Sequence, residues 1–443
     1  MPPPFFLGAD MQLTRYMKVY PCTDKPGRVL LYSTRRCALL EVPEALLERV
    51  RTGNLAEKEQ ETLARLGFLV PNHAVEREEV RTSFDRINRD SRCFKAIVTL
   101  TLDCNLACPY CYEGSFRGRY SMNIATADLL VKLMTERMDA GLSVSISFYG
   151  GEALMALPVL KHIAGKLVDA ARERGVDFDF NIVTNGTLLN RKTVEELLPL
   201  GLKGAKITLD GPRDIHDQQR PFVSGKGSFD LIVSNIKETS DLLALQVGGN
   251  YTRHNYRRFP ELLDFFLKEG ITTDKLKYVV FSPVTPRADG SIVSGDVSAV
   301  CACTEEPWMI EASLFLRGEI LRRGFDTLKF KPSGCMIEFK NDLVVGYDGG
   351  LYKCPAFMGE ESLRIGSLAE GVGEYAQAHG LDLWKCDECL DCPYLPLCFG
   401  GCRFLRKLRT GAIDGVDCRR TYLDATLEQI ISQDMTLRKK PGS

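Results

Sequence analysis

Residues 96–111 read AIVTLTLDCNLACPYC, an apolar run of strand-forming residues that breaks into a loop carrying Cys104, Cys108 and Cys111. Val, Ile, Thr and Leu in this density suit a buried strand, and Asp-Cys-Asn followed by Pro ends it. Outward from this stretch the chain alternates strand-like and helix-like segments. After AIVTLTL come IATADLLVKLMTERMDA, SVSISFY, LPVLKHIAGKLVDAARERG, FDFNIVT, RKTVEELLPLG, GAKITLD, SFDLIVSNIKETSD, LLALQVGGNY, FPELLDFFLKEG and DKLKYVVFS. Six strand-helix units of this kind predict a parallel sheet with helical crossovers. Six fall short of the eight of a closed barrel, so the fold class expected is α/β, an open partial (β/α)6 TIM-like barrel. Its site is expected where the strands end, which is where the cysteine triplet lies.

The flanks read differently. Residues 11–41 hold short strand-like runs, and two helical patterns follow, the second closing at Gly67. The expected organisation is an N-terminal α+β unit over 1–80, a barrel over 93–300 and a cysteine-rich unit over 301–443. Residues 74–92, AVEREEVRTSFDRINRDSR, are expected to form a linker or linking helix. Beyond residue 300 Gly, Pro and Cys punctuate short elements, which reads as a small domain held by metal rather than by a large apolar core.

Composition narrows the function. Lys plus Arg (57) and Asp plus Glu (58) nearly cancel across 443 residues, so overall charge gives no support to nucleic acid as a partner. No apolar run reaches the roughly 18–20 residues of a membrane span, and MPPPFFLGAD is a poor signal peptide, so a cytoplasmic location is expected. In a reducing compartment, sixteen cysteines read as metal ligands rather than disulfides. Three thiols spaced C-x3-C-x2-C suit three irons of a [4Fe–4S] cluster with the fourth iron open; the same triplet also suits zinc, completed by Cys93 or a distant residue. Cys22, Cys37 and Cys93 lack partner spacing and read as small buried hydrophobes.

The second strand ends in Tyr149-Gly150-Gly151-Glu152. With this G-G-E behind the triplet in a six-unit domain, the chain resembles the radical S-adenosylmethionine (radical SAM) enzymes. The resemblance implies that Cys104, Cys108 and Cys111 hold the cluster, that the methionine amino and carboxylate groups chelate its open iron, and that reductive cleavage yields a 5′-deoxyadenosyl radical. It places Tyr110 near the adenine and Gly150, Gly151 and Glu152 on the amino group. Thr184, Asn185 and Gly186, then Asp210 and Gly211, then His216, Asp217 and Arg220, resemble segments flanking cofactor and substrate, with Asn250 a further candidate. Turn and cap chemistry would explain the Asn-Gly and Asp-Gly pairs equally well.

Cys335, Cys354, Cys389, Cys392, Cys398, Cys402 and Cys418 resemble the SPASM extension of these enzymes, which carries two auxiliary [4Fe–4S] clusters. That pattern implies Cys335, Cys354 and Cys402 for the first, and Cys389, Cys392, Cys398 and Cys418 for the second, three clusters in all. Cys301 or Cys303 would complete the first, or one of its irons stays open to substrate. Cys386 permits a one-step shift of the second set. The N-terminal unit resembles PqqD-like and winged-helix-like peptide-recognition elements; a unit that merely covers the open barrel's edge is the alternative. The function this implies is maturation of a ribosomally made precursor peptide, with thioether formation as one outcome and an electron donor such as ferredoxin or flavodoxin as a partner. Two alternatives are a formylglycine-generating anaerobic sulfatase maturase and a zinc-binding scaffold without turnover.

Overall fold

A computed structural model of the chain describes residues 11–22, 25–111, 118, 120–285 and 306–438. The N-terminal unit begins with β1 (Gln12–Leu13), β2 (Met17–Pro21), β3 (Arg28–Ser33), β4 (Ala38–Pro43), α1 (Glu44–Arg51), α2 (Glu57–Arg65) and β5 (Leu69–Val70). β2, β3 and β4 form an antiparallel sheet, and β1 pairs with β5. Gly67 takes a left-handed φ of 79° just past α2, where a side chain would strike Arg36. The charged segment that follows is helical, as α3 (His73–Arg81) and α4 (Ser83–Asp90).

All six expected barrel strands are present: β6 (Cys93–Thr101), β7 (Ser143–Gly150), β8 (Phe178–Thr184), β9 (Leu202–Thr208), β10 (Ala244–Tyr251) and β11 (Leu276–Pro283). Each pairs in parallel with the next. The crossovers carry α5 (Ile124–Asp139), α6 (Leu157–Arg174), α7 (Arg191–Leu197), α8 (Arg213–Gln219), α9 (Phe229–Thr239) and α10 (Phe259–Lys268). Period-two alternation explains the layering. In β7, Val144, Ile146 and Phe148 are buried in one core cluster with Leu130 and Met134 of α5 and Leu160 of α6. Ser145 faces the other way and donates to Asp179 Oδ1 of β8 at 2.7 Å. Each large apolar side chain buried this way contributes roughly 1.5–3 kcal/mol.

The sheet does not stop at β6. α11 (Pro307–Arg322) is followed by β12 (Asp342–Val345), which lies parallel beside β6, and then by an antiparallel meander of β13 (Gly350–Tyr352), β14 (Gly366–Ser367) and β15 (Gly371–Val372). The result is a ten-stranded open sheet, in the order β11-β10-β9-β8-β7-β6-β12-β13-β14-β15. The cysteine-rich segment then adds the short α12 (Asp387–Leu390), α13 (Leu395–Cys398) and α14 (Arg403–Thr410), and α15 (Arg420–Thr436) packs on α11, where Gln433 donates to Leu314 O at 2.9 Å.

Two expectations change. The C-terminal region has apolar cores of its own, one of which gathers Ile337, Val344, Tyr352, Phe357, Leu363 and Ile413. Among the described residues the N-terminal unit does not cover the barrel's edge. It sits on the cysteine-rich segment, where Tyr16 and Phe84 pack with Trp384 and Phe399. Tyr16 Oη donates to Leu390 O at 2.7 Å, and Thr34 Oγ1 donates to Pro393 O at 2.6 Å.

Candidate active site

The loops after β6, β7, β8 and β9 meet at the C-terminal edge of the sheet around a cleft of about 280 Å³. Its walls include Cys104, Cys108, Tyr110, Cys111, Tyr149, Gly150, Gly151, Thr184, Asn185, Arg220 and Asn250. The three thiols of one loop therefore face the glycine pair of the next. Close packing of backbone explains the glycines: Gly150 has φ 135°, and a Cβ on Gly151 would sit 2.6 Å from Leu102 O and nearer still to Asp103 O. Burial pushes the Cys104 thiol up and the Cys108 thiol to about 11. Both are neutral at pH 7 until a metal displaces the proton.

Glu152 lies beneath the cleft rather than in its wall, fully buried. Its Oε1 accepts from Leu154 N at 3.1 Å and Thr184 Oγ1 at 2.8 Å, and its Oε2 accepts from Asn185 N at 2.7 Å. Burial raises its pKa, and these donors oppose the rise. The side chain joins the β7 loop to the β8 loop. Asn185, held in this way, donates from Nδ2 to Asn105 Oδ1 at 2.7 Å and to Cys104 Sγ at 3.7 Å.

Asp210 plays the matching role on the other side. It is fully buried, accepts from Tyr110 Oη and from Asn250 N at 2.7 Å, and lies 3.8 Å from the Arg220 guanidinium. Arg220 Nη1 donates to Tyr110 Oη at 2.7 Å, while its buried Nε has no partner among the described residues. His216 fixes the turn: Asp210 N donates to its Nδ1 at 3.1 Å. Its Nε2 therefore carries the proton and donates to Ser228 Oγ at 3.0 Å, which donates on to Arg220 O at 2.6 Å. Burial pushes the His216 pKa down to about 3, so the ring is neutral. Asp217 accepts from Phe229 N at 2.9 Å and caps α9.

The C-terminal cysteines fall into two groups that sense one another electrostatically. Burial raises the Cys354 thiol to about 12, and Cys335 and Cys402 add to the rise. In the second group Cys398 is pushed to about 11 by burial, with Cys392 and Cys418 contributing, while Cys389 feels Cys386, Cys398 and Cys392. Cys386, a free and exposed thiol, is hydrogen-bonded with the Cys389 thiol. The suggested Cys301 and Cys303 lie outside the described residues. Cys93 opens β6, whereas the triplet follows its end, roughly 26 Å away at strand rise, so Cys93 cannot complete that site. Among the described residues no three His, Cys, Asp or Glu side chains converge closely enough to grip a single metal ion.

The Radical SAM superfamily model matches residues 98–271, the span of β6 through α10 with the triplet and the glycine pair inside it. Residues 98–271 are a radical SAM domain, and the chain is an enzyme. That assignment implies S-adenosylmethionine and a [4Fe–4S] cluster, and it replaces the scaffold alternative. A cysteine-type anaerobic sulfatase-maturating enzyme of Clostridium novyi is 25% identical over 373 residues, covering 76% of this radical SAM chain and 95% of that relative. A PqqA peptide cyclase of Granulibacter bethesdensis is 25% identical over 354 residues, covering 76% and 90%. An Fe-coproporphyrin III synthase of Methanosarcina barkeri is 28% identical over 185 residues, of which the chain spans only 43% of the relative's length. The solved structure of anSMEcpe with bound AdoMet and Kp18Cys peptide shares the fold, with a TM-score of 0.61 at 17% identity over 77% of this chain and 97% of that one. No helix among the described residues is long and apolar enough to cross a membrane.

Sequence reasoning placed the triplet, the glycines, Tyr110, Asn185 and Asn250 at one rim, where the structure gathers them. It missed Thr208 and Lys206, which also line the cleft from β9. The available signal was the alternation in GAKITLD, which sets Lys206 and Thr208 on the face opposite Ala205 and Ile207.

Proposed function

We propose that this radical SAM enzyme is a cytoplasmic maturase of a peptidyl substrate, with the precursor peptide bound between the barrel and the C-terminal region. The observation that carries the reading is the single cleft that brings three thiols, a glycine pair and the Tyr110, Arg220 and Asn250 donors together at the rim of an open sheet. The donor set fits the cofactors. Cys104, Cys108 and Cys111 would hold the cluster, Gly150 and Gly151 would offer backbone groups to the methionine moiety, and the unpartnered Nε of Arg220 supplies a buried donor for its carboxylate. Bound together, cluster and S-adenosylmethionine supply a carbon-centred radical that takes a hydrogen atom from substrate.

The chain's own residues do the rest. Glu152 and Asp210, each buried and accepting three hydrogen bonds, hold the two sides of the cleft in place, and the neutral His216 locks the β9 turn. Cys335, Cys354 and Cys402, and Cys389, Cys392, Cys398 and Cys418, would hold two auxiliary clusters. A protein such as ferredoxin or flavodoxin would deliver the electron, and the N-terminal unit, in whose sheet β2 and β4 are the outer strands among the described residues, would add a leader segment as a strand. The reaction favoured is thioether formation. Formylglycine formation is the second reading, supported by the near full-length match to a sulfatase-maturating enzyme.

Anaerobically reconstituted protein should carry about twelve irons and cleave S-adenosylmethionine to 5′-deoxyadenosine. Cys108→Ala should abolish cleavage and spare the C-terminal clusters. Full cleavage in that variant would end the radical SAM assignment of the triplet. Mass spectrometry of the product then divides the two reactions: a thioether loses two hydrogens and keeps all sulfur, whereas a cysteine turned to formylglycine loses its sulfur.

A further inference from the structure

Lys206 points from β9 into the cleft, one inward position below Thr208 and so roughly 7 Å beneath the rim. Its surroundings make room for it. On β10 its register partner is Gln246, and two residues nearer the rim a Cβ on Gly248 would come within 3.1 Å of Lys206 Cε, while on β8 it is level with Val183. Nothing among the described residues neutralises it. Arg220, the other cation of the cleft, has Asp210 at 3.8 Å. Glu152 is buried under three donors. Asp179, the carboxylate on neighbouring β8, sits four residues further from the rim than Val183, roughly 13 Å away, and is engaged by Ser145. The walls hold the lysine below its ordinary pKa by desolvation, with no carboxylate opposing.

A cation built into the floor of a cleft without a counter-ion is a demand on whatever fills the cleft. We infer that Lys206 is a specificity residue that receives a carboxylate of the peptidyl substrate, either an Asp or Glu side chain near the reacting residue or the peptide's own C-terminus. This rests on the peptide-maturase reading. It adds that the substrate is acidic at one defined position, and that a neutral or basic residue there is rejected because Lys206, exposed to solvent in the open cleft, would be covered by the bound peptide and left unpaired.

The test uses the reconstituted holoenzyme with S-adenosylmethionine bound and two pools of short synthetic peptides with a central cysteine, one pool C-terminally amidated and one with free carboxylates. Captured peptides are sequenced by mass spectrometry. Wild type should enrich Asp or Glu over Asn or Gln at one position about tenfold, or free acids over amides by a similar factor, which tells the two carboxylate sources apart. Lys206→Met should abolish the enrichment, Lys206→Arg should keep it, and Lys206→Glu should turn it toward basic residues. S-adenosylmethionine affinity should stay within about twofold in all three, as expected of a residue that does not touch the cofactor. Undiminished acidic enrichment in Lys206→Met, or peptides captured without regard to charge, would overturn the inference and leave the peptide reading intact. A tenfold loss of cofactor affinity in Lys206→Met would assign the lysine to the methionine carboxylate and equally overturn it. Wild type that cleaves S-adenosylmethionine but captures no peptide would remove the peptide reading itself, and this inference with it.

Discussion

Replacing Glu152 by Gln distinguishes a buried tie from a cofactor ligand. The carboxylate accepts three hydrogen bonds, two on Oε1 and one on Oε2. A glutamine has one acceptor oxygen, so its best orientation keeps the bonds from Leu154 N and Thr184 Oγ1 and turns an NH2 group toward Asn185 N. That leaves a buried amide without an acceptor, at a cost of about 1–3 kcal/mol. The two surviving bonds lose their charge assistance, about 1 kcal/mol each. Relief of the buried charge works the other way, since burial raises the Glu152 pKa. The net loss is about 2–4 kcal/mol, against a typical domain stability of about 5–15. Because Asn185 and the β8 loop are held through this carboxylate, stability and S-adenosylmethionine affinity should fall together, measured by denaturant unfolding and equilibrium dialysis. Cofactor affinity that collapses while stability stays unchanged would refute the reasoning and return Glu152 to direct contact with the amino group. No change in either quantity would refute it as well.

Gly151→Ala should lower iron by about four per chain, as counted by elemental analysis, because the new Cβ would strike Leu102 O and Asp103 O and push the Cys104 loop out of register; unchanged iron would show that the loop can retreat. Asp210→Asn strands the Arg220 guanidinium, only 13% exposed, at an expected cost of about 3–5 kcal/mol in unfolding free energy. Adding Arg220→Met should recover much of that loss, and a double variant less stable than Asp210→Asn would contradict the pairing. The His216 pKa is pushed from 6.5 down to about 3 by burial, so between these values the unfolded chain binds more protons than the folded one. Its stabilisation is therefore complete above about pH 6.5 and is lost as the pH falls toward 3, with a slope of up to about 1.4 kcal/mol per unit. His216→Gln should flatten the pH dependence of unfolding in that window by the same slope, and an unaltered profile would show that the ring already titrates normally.

Local pattern alone settled much of this protein. The six barrel strands, their helices and the Gly67 stop follow from periodicity and turn chemistry, which act over a few residues. The triplet spacing and the glycine pair were legible for the same reason, and their arrival at one rim follows from parallel strands that all end on one side. What tertiary structure decided lies in long-range pairing. The strand at 342–345 is four residues long and carries no crossover signature, yet it extends the sheet beside β6. The docking of Tyr16 on Leu390 joins residues 374 apart in sequence, with no periodicity to announce it. Glu152 reads as a ligand because residue type shows what a side chain can accept; only the packed structure shows that it also accepts from Leu154, Thr184 and Asn185 and so ties two loops together. Lys206 went unread for the opposite reason, since one lysine in a strand looks like any solvated residue until the fold turns it into the cleft, where no carboxylate among the described residues pairs with it.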